Sequence, residues 1–131
     1  MWGQGMVDAK RVTRSGLWLA AVMALLLAGR FLEAHAILKE TSPAANSTVA
    51  GPDVPMKLRF NVRVDAGRSK LQLLHPDNSV TELKLDKQPA PDTLSARGTG
   101  LKAGSYTIRW QVLAPDGHIT RGEIPFKVTG T

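Results

Sequence analysis

The chain contains no cysteine. Neither a disulfide framework nor a thiolate metal site is open to it, so any bound metal must be held by nitrogen and oxygen. Methionine is nearly as scarce. Met1, Met6 and Met23 fall in the first 34 residues and only Met56 lies beyond them, which leaves no soft thioether cage for Cu(I). Aromatic residues make up 5% of the sequence, and the basic residues stand singly at Lys57, Arg59, Arg63, Arg68, Lys70, Lys84, Arg97 and Arg109. Nucleic-acid binding calls for a basic stripe or a stacking platform, and the composition argues against it. There is no internal repeat and no low-complexity stretch.

What is present reads as one ordinary globular domain with a leader. The 131 residues are 43% hydrophobic and 21% charged, which suits a single two-layer core. Lys10, Arg11 and Arg14 precede an uninterrupted apolar run from Leu17 to Ala28, which gives way to Gly29, Arg30, Phe31, Leu32, Glu33 and Ala34. That is the layout of a secretory signal peptide. As a helix the run would rise about 18 Å, short of the roughly 30 Å hydrocarbon core of a bilayer. An uncleaved anchor, extended through Phe31 and Leu32, is the alternative. Two cleavage frames satisfy the small-residue rule, one after Ala34 and one after Ala36, and the first leaves His35 with a free α-amine. With residues 1–34 removed, 13 Lys and Arg face 9 Asp and Glu, a mild net charge of +4.

Beyond the leader the period is that of strands. Met56, Leu58, Phe60, Val62 and Val64 alternate with Lys57, Arg59, Asn61 and Arg63, the pattern of a half-buried strand over 56–64. Leu71 and Leu73 lead to a turn at His75-Pro76-Asp77-Asn78-Ser79 and on to Val80–Leu85, which predicts a hairpin. Leu94 and Ala96 suggest a short strand. Tyr106, Ile108, Trp110 and Val112 alternate with Thr107, Arg109 and Gln111, and Ile124, Phe126 and Val128 form the inward set of the last strand. Pro125 predicts an edge position or a bulge there. Short strands between turns, with no helical period after residue 34, indicate an all-β sandwich.

Two features carry chemistry: the histidine at the predicted mature terminus, His35, and the triplet Asp116-Gly117-His118. Residues two apart in extended chain project to one side, so Asp116 and His118 can face one ion, and Gly117 permits a bend. Neither feature is specific alone, since an Asp-Gly-His is usually a turn.

The residues around them resemble a known pattern. The stretch from His35-Ala36-Ile37-Leu38-Lys39-Glu40-Thr41-Ser42-Pro43-Ala44-Ala45-Asn46-Ser47 is similar to the opening of the CopC family of periplasmic copper-resistance proteins. Gly104-Ser105-Tyr106, Trp110-Gln111-Val112, Asp116-Gly117-His118, Gly122 and Phe126-Lys127-Val128 match its far end. The resemblance spans residues 35–131. It implies an immunoglobulin-like Greek-key β-sandwich of about seven strands, preceded by a signal-peptide helix over 1–34. It also implies a Cu(II) site built from the amine and imidazole of His35, the imidazole of His118 and the carboxylate of Asp116, and it favours cleavage after Ala34. The chemistry agrees: an N-terminal histidine closes a chelate with two nitrogens, and nitrogen with oxygen suits tetragonal Cu(II). The α-amine titrates near about 8, so binding displaces a proton and weakens in acid.

Three departures from the family pattern stand out. Phe60-Asn61-Val62-Arg63 puts a cation where an acidic residue is common, Ala114-Pro115 replaces a small polar pair, and the Met- and His-rich Cu(I) segment of some members is missing. His75, in a turn, is expected to be merely exposed.

The expectation is therefore an exported, periplasmic copper carrier or buffer, without catalytic activity, serving copper homeostasis and resistance. Its partners would be the copper ion and an inner-membrane copper transporter, with the membrane touched only through the uncleaved leader. Two rival readings are a metal-free interaction module and a copper-dependent oxidative enzyme, since lytic polysaccharide monooxygenases use a similar histidine brace.

Overall fold

The computed structural model describes residues 35–130. The signal-peptide helix expected over 1–34 lies outside the described residues, as does Thr131. The alternation at Val54–Phe60 and Gly104–Leu113 sets the architecture, because each strand buries every second side chain and two such faces must cover one another. Eight strands result: β1 (Leu38–Ser42), β2 (Thr48–Ala50), β3 (Val54–Phe60), β4 (Lys70–Leu74), β5 (Val80–Leu83), β6 (Thr93–Gly98), β7 (Gly104–Leu113) and β8 (Ile119–Thr129), with one 3₁₀ turn at Ala66–Arg68 before β4. One sheet runs β1-β3-β6 and the other β2-β8-β7-β4-β5. The chain passes from β3 to β4 and β5, back to β6, then to β7 and β8, so consecutive segments alternate between layers. The expected immunoglobulin-like sandwich is the fold found.

Eight strands stand against the expected seven or so; the alternation marked neither β1 nor β2, and β2 is only three residues that pair parallel to β8. A second difference concerns the expected strand over 56–64. It stops at Phe60, although Val64 is buried. Past Phe60 the peptide groups take scattered partners: Asn61 N–H donates to Ile37 O, Val64 N–H to Pro91 O and Asp65 N–H to Leu113 O. No one neighbouring strand continues the ladder, so the apolar alternation outlasts the strand.

The hairpin at residues 75–79 forms as expected, with β4 antiparallel to β5 and His75 N–H bonded to Ser79 O at 2.8 Å. Pro125 lies inside β8 opposite Thr107. Its carbonyl accepts from Asn46 N–H, so its ring nitrogen points to the same side, before β2 begins. That stretch is locally an edge, where no ladder bond is forfeited.

The core between the sheets holds Phe60, Phe126, Met56, Leu58, Leu71, Leu73, Leu94, Ile108, Ile124 and Val112, all essentially sealed from solvent. Trp110 packs edge-on to Phe60 with ring centroids 5.2 Å apart. It reaches this position by lying over Gly122, its partner across the β7–β8 pair. A Cβ at Gly122 would stand 2.4 Å from Trp110 Cζ2, so only glycine admits the indole. The β7–β8 hairpin is the longest in the fold, and the connection at its tip carries the triplet.

Candidate metal site

The tip of that hairpin is a tight turn built from its sequence. Pro115 presets the first corner, Gly117 N–H donates to Ala114 O at 3.0 Å, and Gly117 takes φ +83°, a region that favours glycine. Ala114 N–H then bonds to His118 O at 3.0 Å and closes the loop, with the Ala114 side chain buried. Ala114-Pro115 therefore anchors the turn.

Asp116 and His118 come together differently from the extended-chain expectation. Because 114–118 is a turn, their proximity comes from the Asp116 carboxylate. Its Oδ1 accepts the His118 peptide N–H at 3.0 Å and its Oδ2 lies 2.9 Å from His118 Nδ1. An Asx-type contact thus draws the imidazole onto the same carboxylate.

The third group arrives from the other end of the chain. His35 Nδ1 stands 3.5 Å from Asp116 Oδ2, and the His35 and His118 rings are 5.1 Å apart, centroid to centroid. Two anchors bring His35 here. Ala36 is buried in the core, and Ile37 is held on both its polar groups by Asn61: Ile37 N–H donates to Asn61 Oδ1 at 2.7 Å and Asn61 N–H donates to Ile37 O at 2.9 Å. Asn61 escaped the sequence reading. No local signal marked it, because the alternation placed Asn61 inside the expected strand over 56–64 and its side-chain bond reaches a peptide 24 residues away.

The three sequence-predicted residues meet. Each offers one ligand atom within 4.8 Å of the others'. Metal bonds to imidazole nitrogen and carboxylate oxygen run at about 2 Å, so donors at right angles around one ion stand about 2.8 Å apart and opposed donors about 4 Å. The observed 2.9 and 3.5 Å fall within that span. The nitrogen that His35 turns toward Asp116 is Nδ1, the one that can close a six-membered ring with its own α-nitrogen. Two imidazoles and a carboxylate, with no sulfur, form a donor set for Cu(II), Ni(II) or Zn(II).

Asp116 is only 15% exposed, while His118 is 69% exposed and His35 46%. The acid is thus the recessed member and the imidazoles face solvent. The His118 peptide N–H holds the Asp116 carboxyl below the ordinary carboxylate range, helped by the His118 ring and the charges of His118 and His35, while partial burial opposes them. A lowered native pKa contributes stability that is complete above the unfolded value and disappears as pH falls through the native one. Metal-free Asp116→Asn should therefore melt below wild type near neutral pH, and the gap should close as pH falls below the ordinary carboxylate range, in thermal scans across pH.

Of the other residues singled out, Arg63 lines a groove whose other side is formed by Ala114, Pro115 and Gly117 of the ligand turn. His75 does not join the trio. It is half-buried rather than merely exposed, with Nε2 2.8 Å from Thr81 Oγ1 and its ring edge-on to Tyr106.

Residues 38–129 match the CopC domain family. Protein YobA of Escherichia coli K12 is 30% identical over 118 residues, a match that spans 88% of this chain and 95% of YobA. Among solved structures, CopC from Methylosinus trichosporium OB3b aligns with a TM-score of 0.68 at 32% identity, covering 73% of this chain and 95% of its own. PcoC, a methionine-rich copper resistance protein from Escherichia coli, aligns at 0.60 with 27% identity, covering 72% of this chain and 99% of PcoC. The likeness thus extends over most of this chain and nearly the full length of each relative, and the chain belongs to the CopC domain family.

Proposed function

We propose that the exported chain, cut after Ala34, carries one Cu²⁺ ion held by the amine and imidazole of His35, the imidazole of His118 and the carboxylate of Asp116. It would serve copper homeostasis in the periplasm as a carrier or buffer, and would release its cargo to a membrane copper transporter. The observation that carries this reading is the meeting of His35 with the Asp116–His118 turn across more than 80 residues of sequence. Membership in a family that includes a copper resistance protein supports copper as the cargo.

Two further features support the finer points. Ala36 is part of the buried core, so a cut after Ala36 would remove a packed side chain together with His35. Met56, the methionine that remains after residue 34, is sealed in the core at 1% exposure, so it offers no thioether to a surface ion.

The reading assigns binding without turnover. Asp116 occupies a coordinating position that an oxygen-activating centre would keep open. Phe60, Tyr106, Trp110 and Phe126 are all buried, so none presents a flat stacking face to a polysaccharide. The test is a Cu²⁺ titration of the processed protein against a competing chelator, followed by an assay with reductant and oxygen. One equivalent bound, with no oxidised product, is expected. No uptake at neutral pH would overturn the proposal.

A further inference from the structure

We infer that Asn61 is the positioning residue of this site, the group that fixes the distance between the amino end and the ligand turn. The inference rests on the copper reading above and adds to it a residue that is not a ligand. Asn61 opens the segment between β3 and β4, and that segment touches both halves of the site. At one end Asn61 grips both polar backbone groups of Ile37, two residues from His35. At the other end Asp65 N–H donates to Leu113 O at 3.1 Å, and Ser69 Oγ accepts Leu113 N–H at 3.2 Å. Leu113 is the last residue of β7 before the turn that bears Asp116 and His118. Ser69 Oγ also donates to Asp65 O, so the Leu113 end of the segment is itself cross-braced.

Residues 61–69 thus form a bracket, with the amino end on one arm and the ligand turn on the other. The Ile37 peptide lies ahead of β1, which begins at Leu38, and both of its backbone hydrogen bonds go to Asn61. Of its two bonds to Asn61, only the one to Oδ1 depends on the side chain. Without it the amino-terminal residues gain freedom, and each Cu²⁺ capture must order them again. The cost falls on metal binding, because Asn61 is exposed and outside the core.

The test compares processed wild type with Asn61→Leu, which keeps the shape and loses the acceptor, and Asn61→Asp, which keeps an acceptor oxygen. Asn61→Leu should bind Cu²⁺ about fivefold to tenfold more weakly. Its electron paramagnetic resonance spectrum should broaden or split into two species, while the metal-free melting temperature stays near wild type. Asn61→Asp should restore both affinity and a single spectrum. Unchanged affinity and spectrum in Asn61→Leu would overturn the inference while leaving the copper site standing. Losses that simply follow the melting temperature in both variants would also overturn it, by showing a purely structural role. Wild type that takes up no Cu²⁺ would overturn the parent reading, and this one with it.

Discussion

His118→Ala will lower Cu²⁺ affinity of the processed protein by at least about 100-fold, the upper end of what loss of an outer-shell partner costs. The sandwich will stay folded. His118 contributes an imidazole that is 69% exposed, and the bonds that close its turn are made by backbone: Ala114 N–H to His118 O, and His118 N–H to Asp116 Oδ1. Both survive removal of the ring. A surface truncation of this kind ordinarily changes stability by no more than about 0.5 kcal/mol. A competition titration with parallel thermal melts separates the two effects. Retained affinity would show that the ion, if bound, sits elsewhere, and equal loss of affinity and melting temperature would show that the turn has collapsed.

The second large effect concerns the amino end. A chain that keeps Ala34 ahead of His35 has an amide nitrogen where the proposal needs an amine. It should bind Cu²⁺ at least about 100-fold more weakly than the chain beginning at His35, because the second nitrogen of the chelate, which binds at high effective concentration once the first is seated, is gone. A chain beginning at Ile37 lacks His35 entirely and should fall further, to the residual affinity of Asp116 and His118. The His35 chain alone should also show the strong loss of affinity in acid that comes from displacing an amine proton. Titrations of the three amino ends at pH 7 and pH 6 measure this directly.

Much of the fold was legible in the sequence because strands advertise themselves by alternation. The pairs Leu58 with Phe60 and Ile108 with Trp110 fix which faces turn inward, and a two-sheet sandwich follows. The end of β3 was not legible. Val62 and Val64 continue the alternation, yet the hydrogen bonds that would extend the strand go instead to Ile37, Pro91 and Leu113, residues distant in sequence that no local pattern reveals. β2 was missed because three residues show no period.

The site divides along the same line. Asp116, Gly117 and His118 were visible as a triplet, and Gly117 was visible as a bend. How the two side chains meet was not, because the contact depends on a carboxylate accepting a peptide N–H inside a turn rather than on extended geometry. The union of His35 with that turn came from family resemblance, and no spacing rule could have supplied it. Asn61 was invisible for the same reason: its role is a bond to a peptide 24 residues away.

The most direct measurement is native mass spectrometry of the protein as recovered from cells that express the full chain, before and after one equivalent of Cu²⁺. The account predicts the mass of residues 35–131 with His35 first, shifting by a single copper that survives at neutral pH and is lost in acid. A first residue of Ile37, or a chain that starts at His35 and stays metal-free, would contradict it.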